Sequence, residues 1–180
     1  MEKINGRKIC LVGGAGFIGH NLALHLHSQG AEVSIIDSLQ VNNLASFTAT
    51  SEDSVNRALY LRILNERQRL LQDAEIPLFV QDARNYHALC KLINEIKPQV
   101  VIQLAAVSHA NKSNKDPYST FDHSFRTLEN ALDASKKRVE HFIYFSSSMV
   151  YGHFHDVAVT EESNCNPLGI YGALKYGGEK

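Results

Sequence analysis

Four of the seven residues in Gly13-Gly-Ala-Gly-Phe-Ile-Gly19 are glycine, and they stand between a short apolar run and a stretch with helical periodicity. Such a density of glycine suits a backbone that must turn tightly and let another group come close. The run before it, Lys8-Ile-Cys-Leu-Val12, reads as a buried strand. After it, Phe17, Ile18, Leu22, Ala23, Leu24 and Leu26 line a helix that stops at Gly30, and residues 32–36 read as the next strand. This is a β-α-β unit. The second strand must return parallel to the first, with the helix crossing over the sheet.

The alternation continues with a strand at 77–81, a helix at 86–96, a strand at 100–104, a helix at 121–135 and a strand at 141–145. The pattern predicts an α/β fold of Rossmann type, a doubly wound parallel sheet with helices on both faces. With 180 residues and 44% hydrophobic composition, the chain is expected to form one domain over 1–180. Residues 52–73 interrupt the alternation with a long helical stretch whose apolar stripe predicts packing on the side of the domain. A second reading has Arg57, Arg62 or Arg67 of that stretch reaching a substrate phosphate.

A net charge of -1 carries no footprint for nucleic acid or an anionic membrane. The charged N-terminus and the glycine-rich run after it do not read as a signal peptide, and no segment has the length of a membrane span. Cys10, Cys90 and Cys165 are widely spaced and odd in number, as expected of reduced thiols in a cytoplasmic protein. The nine histidines lack metal-ligand spacing, so no metal site is expected. His20 is expected at the surface of the first helical turn.

The glycine loop satisfies both Gly14-x-Gly16-x-x-Gly19 and Gly13-x-x-Gly16-x-x-Gly19. Opening a helix, it offers free N–H groups and a positive dipole end to a pyrophosphate, with Phe17 and Ile18 in the first turn. Asp37 ends the second strand at the offset of a ribose ligand, with Ser38 beside it. A carboxylate there accepts from ribose hydroxyls and repels a 2′-phosphate, which favours NAD over NADP. Near the other end, Tyr171-Gly-Ala-Leu-Lys175 sets a phenol and an ammonium on one helical face. A lysine cation favours the phenolate and so makes a base of the tyrosine. The spacing alone also describes a packed tyrosine beside a solvated lysine.

With the glycine loop, Asp37, Lys97-Pro-Gln-Val-Val-Ile-Gln-Leu-Ala-Ala106, Phe145-Ser-Ser-Ser-Met-Val-Tyr-Gly152 and Tyr171-x-x-x-Lys175 in order, the chain resembles the extended short-chain dehydrogenases. More narrowly, it resembles the NAD-dependent nucleotide-sugar epimerase/dehydratase family. The resemblance implies adenine contacts from Asp82 and Ala83, and a turn at Leu104, Ala105 and Ala106 beneath the cofactor. It implies a catalytic Ser147, four residues before Tyr151, with Tyr171 as acid/base and Lys175 holding the nicotinamide ribose. Ser108 and His109, after the Leu104 turn, are candidates for substrate contact together with Ser147. Met149 stands where dehydratases of the family carry an acidic residue, which points to an epimerase or simple oxidoreductase rather than a dehydratase. Ser124 occupies the place of a family asparagine.

The function so implied is an NAD-dependent nucleotide-sugar 4-epimerase acting on a UDP- or GDP-linked sugar, a homodimer when full length. The alternatives are a non-catalytic NAD-binding module, an inactive fragment, or a reductase or dehydratase of the same family. Because relatives carry a C-terminal substrate-binding segment, the chain is expected to be the NAD-binding portion, ending before that domain.

Overall fold

The computed structural model describes residues 4–40, 56–107, 114–154 and 157–180. Five strands, β1 (Lys8–Val12), β2 (Glu32–Asp37), β3 (Leu78–Val80), β4 (Val100–Gln103) and β5 (His141–Tyr144), form one sheet in the order β3-β2-β1-β4-β5. Every neighbouring pair is parallel, so the expected Rossmann-type sheet is present.

Parallel strands covered on both faces are apolar throughout, and here the two sets of side chains go to different helices. Ile9, Leu11, Val33, Ile35, Val100 and Ile102 share one core with Leu22 and Ala23 of α1 (Phe17–Ser28) and Leu71 of α2 (Arg57–Asp73). Cys10, Val12, Ile36 and Val101 pack on the opposite face, against Leu89 and Ile93 of α3 (Tyr86–Ile96) and Ala131 and Ala134 further on.

The helix expected over 121–135 begins earlier. Asp116 accepts a hydrogen bond from Ser119 N at 3.0 Å and Pro117 fills the first turn, giving α4 (Pro117–Phe121). The chain then widens into one π-helical turn, Asp122–Arg126, before α5 (Thr127–Ser135). The side helix expected over residues 52–73 is α2. It buries Leu64 and Leu71 against the domain, and residues 52–55 lie outside the described ones. The Arg67 guanidinium lies over the Phe17 ring, 5.6 Å from its centroid. The last helix, α6 (Gly169–Glu179), carries Tyr171 and Lys175. No helix among the described residues is long and apolar enough to cross a membrane.

Candidate active site

The chain runs from β1 outward to β3 and returns on the other side of β1 as β4, so the strand order reverses between β1 and β4. Open α/β sheets bind ligands in the crevice at such a point, beyond the carboxyl ends of the strands. Both loops at this crevice are fastened to the sheet. Gly13 N donates to Ile36 O at 2.7 Å, and Leu104 N and Ala105 N both donate to Val12 O, at 2.8 and 2.9 Å.

Glycine is needed where these loops meet. Gly13 has φ +81, and a Cβ there would lie 2.4 Å from Ala105 N. A Cβ on Gly19 would lie 2.4 Å from Gly14 O, so α1 could not seat against its own loop. Gly16 differs. Nothing but Gly13 O, at 3.8 Å, comes near its absent side chain, and it caps α1 without a side-chain hydrogen bond. The open space at Gly16, beside exposed Phe17 and Ile18, fits a pyrophosphate approaching the helix N-terminus.

Asp37 ends β2 as expected. Its carboxylate accepts from Ala15 N at 2.9 Å and Leu39 N at 2.7 Å, tying the glycine loop to the next strand. Burial raises its pKa above the ordinary carboxylate value, and these two N–H bonds oppose the rise. Ser38 Oγ accepts from Gln40 N at 3.4 Å. After β3, Asp82 receives Gln40 Nε2 at 3.3 Å and the Arg84 guanidinium at 2.6 Å, and Arg84 also reaches Asp122 at 2.8 Å. The Arg84 hydrogen bond holds the Asp82 carboxyl below its usual range, against the opposing effect of burial. Ala83 is buried beside it, with its carbonyl accepting from Asn130 Nδ2 at 2.9 Å.

A second group of side chains gathers beyond β4 and β5. Ser147 caps the turn Ser148–Val150, its Oγ accepting from Met149 N at 3.2 Å, while Ser146 turns outward to hydrogen-bond Glu179. The helix carrying Tyr171 packs on this turn so closely that a Cβ on Gly172 would lie 2.6 Å from Met149 O. Tyr171 is half-buried and Lys175 fully so. Lys175 Nζ donates to Phe145 O at 2.6 Å and lies 4.7 Å from the centroid of the Tyr144 ring. Burial lowers its pKa to about 8. An ammonium has three N–H donors, so this carbonyl leaves two for other partners.

The buried Ser124 lies within the π-helical turn, and its Oγ accepts from Val107 N at 3.1 Å, holding the loop after β4. Single π turns of this kind recur at functional sites. Ser108 and His109 lie outside the described residues.

Three residues depart from the sequence reading or escape it. His20 is buried rather than superficial, its Nδ1 2.9 Å from Gly16 O, because the ring folds back over its own helical turn. Gln103, the last residue of β4, is fully buried and donates to Ala105 O at 3.2 Å and Thr127 Oγ1 at 3.3 Å, bracing the turn at Leu104, Ala105 and Ala106. A glutamine ending an otherwise apolar strand was the signal for it. Tyr144 lies under Lys175 with nothing in the local sequence to mark it.

Comparison with known proteins bears on the family and the fold. The chain is 30% identical over 172 residues to a UDP-glucose 4-epimerase of Cyamopsis tetragonoloba, covering 95% of this chain and 45% of that protein. It is 28% identical over 172 residues to the bifunctional UDP-glucose 4-epimerase and UDP-xylose 4-epimerase 1 of Pisum sativum, covering 95% and 45%. Among solved structures, the UDP-glucose 4-epimerase of Stenotrophomonas maltophila, with bound NAD and formylated UDP-arabinopyranose, superposes with a TM-score of 0.78 at 26% identity. That match covers 96% of this chain and 46% of the other. The chain thus spans about half the length of the curated relatives it matches. The sequence profile of one family matches residues 9–180, nearly the whole chain, and with the parallel sheet and its glycine crevice it leads to one conclusion: the chain belongs to the NAD dependent epimerase/dehydratase family.

Proposed function

We propose that this chain is the dinucleotide-binding part of an NAD-dependent nucleotide-sugar 4-epimerase. The observation that carries the reading is the packing of the Tyr171 helix on the Ser147 turn, at the carboxyl edge of the sheet that also bears the glycine crevice. Gly13, Gly16, Gly19, Phe17 and Ile18 would hold the pyrophosphate. Asp37 and Ser38 would hold the adenosine ribose, Asp82 and Ala83 the adenine, and Leu104, Ala105 and Ala106 would line the floor. When bound, NAD supplies the hydride acceptor for the sugar carbon that bears the reacting hydroxyl.

The residues of the chain supply position and proton transfer. Ser147 holds the sugar oxygen by a hydrogen bond. Tyr171, as phenolate, takes the hydroxyl proton and later returns it. Lys175 stabilises that phenolate and offers its spare N–H groups to the nicotinamide ribose. Met149 has no proton to exchange, which sets this chain apart from a dehydratase.

The half-length match to relatives supports a second reading, in which the chain alone binds NAD and turns nothing over. Substrate positioning would then come from residues outside this sequence. Homodimerisation belongs to the same proposal. It would use the α5 and α6 faces, where Phe125, Leu128 and Leu132 line a groove and Leu132 is exposed.

The test is exchange at sugar C4, followed by proton NMR with NAD and a panel of UDP- and GDP-linked hexoses. It is run on the chain and on the complete gene product. Epimerisation by the complete product that falls at least ~100-fold in Y171F, with NAD affinity retained, supports the assignment of the base. Retained turnover in Y171F removes the tyrosine from the mechanism. NAD binding by both, with no turnover of any sugar, establishes the binding-module reading instead.

A further inference from the structure

We propose that Tyr144 is a positioning residue for Lys175, its ring face holding the ammonium inside the protein by a cation–π contact. The inference rests on the reading of Lys175 as partner of the acid/base Tyr171. Lys175 is 4% exposed, and among the described residues it meets a neutral carbonyl, Phe145 O, with no carboxylate paired to it. A charge so placed loses its hydration without gaining a counter-ion. The Tyr144 ring supplies the missing attraction. Its centroid lies 4.7 Å from Nζ, inside the range where the negative face of an aromatic ring draws a cation.

The ring is held from both sides. Tyr144 is the last residue of β5 and pairs with Gln103 of β4, so its backbone belongs to the sheet. On the other side α6 presses on it, since a Cβ on Gly178 would fall 2.7 Å from the Tyr144 hydroxyl and 2.8 Å from Cζ. Lys175 and Gly178 are one helical turn apart, so a single face of α6 sets both contacts. The phenol also stays neutral. Burial raises its pKa to about 12, with further contributions from Tyr171 and Glu179 of α6, which face it together with Lys175.

The experiment follows the Lys175 ε-carbon resonance by NMR through a pH titration of the chain, assigned by its loss in K175R. Tyr144 is replaced by Phe and then by a series of increasingly fluorinated phenylalanines, which keep the ring's shape while weakening the charge on its face. Y144F should titrate as the wild type does, because the ring remains. Successive fluorination should lower the proton affinity of Lys175 step by step, by about tenfold across the series. A midpoint that stays fixed across the series overturns the proposal, since a ring that merely filled space would behave that way. Y144L gives an independent reading, with the same fall expected wherever its circular dichroism matches the wild type. The titration needs neither NAD nor substrate. Its failure would leave the epimerase reading intact, and an inactive enzyme would leave the cation–π contact intact.

Discussion

Lys175 brings a positive charge into the interior, and the cost is visible in its pKa, lowered from 10.5 to about 8 by burial. A depressed folded-state pKa contributes stability that is present above the unfolded value and is lost as pH falls through the folded value. Between pH 10.5 and 8 the unfolded chain therefore takes up a proton that the folded chain declines. Relative to K175M, the wild type should gain on the order of 3 kcal/mol as pH rises across this window. Urea denaturation of both proteins at pH 7 and pH 10 checks this, and a parallel pH response would refute it. Tyr171 and Lys175 were legible in sequence as a candidate pair because their spacing is local, four residues along one helix. Tyr144 was not, because it meets Lys175 only after 31 residues of chain have folded back. The burial of His20 was missed for a different reason: an imidazole can satisfy itself on its own turn, here at Gly16 O, and needs no water.

Among the elements, α6 is held against the sheet at one glycine and not at the next. A Cβ on Gly178 would meet Tyr144 Oη at 2.7 Å and Leu128 Cδ2 at 2.8 Å, whereas one on Gly177 would first meet Phe125 at 3.6 Å. G178A should therefore destabilise the chain by ~1–3 kcal/mol through overpacking. G177A should be neutral or stabilise it by up to ~1 kcal/mol, from helix propensity. Thermal melts of the two variants settle the order, and equal shifts would contradict this packing. The bounds of α3 were readable from sequence because both ends carry local signals. Asn85 accepts from Ala88 N at its start, and Lys97, left-handed before Pro98, closes it. The signal for α4 was also local, an aspartate followed by proline, but the apolar periodicity hid it by starting only at Phe121. The π turn at Asp122–Arg126 has no such signature. It holds no glycine or proline and no side-chain cap of its own to mark where the backbone widens, and the loop at Val107 packs on it through Ser124.

At the scale of the whole molecule, the first β-α-β unit decided the architecture, and the structure adds what a linear pattern cannot hold. Strand order places β4 beside β1, so Ala105 closes on Gly13 although 92 residues separate them in the chain. The same order carries Asp37 to the glycine loop and sets Asp82, after β3, within reach of Gln40 in the loop that follows β2. Everything proposed for the chemistry depends on this crevice taking NAD. The direct measurement is a calorimetric titration of the chain with NAD, repeated with NADP and with the D37A variant. Saturable one-to-one binding is expected, at least ~10-fold weaker for NADP and for D37A, because a charge-assisted hydrogen bond is lost or a phosphate is repelled. Absence of NAD binding by the folded chain, or NADP bound as tightly as NAD, would contradict the account.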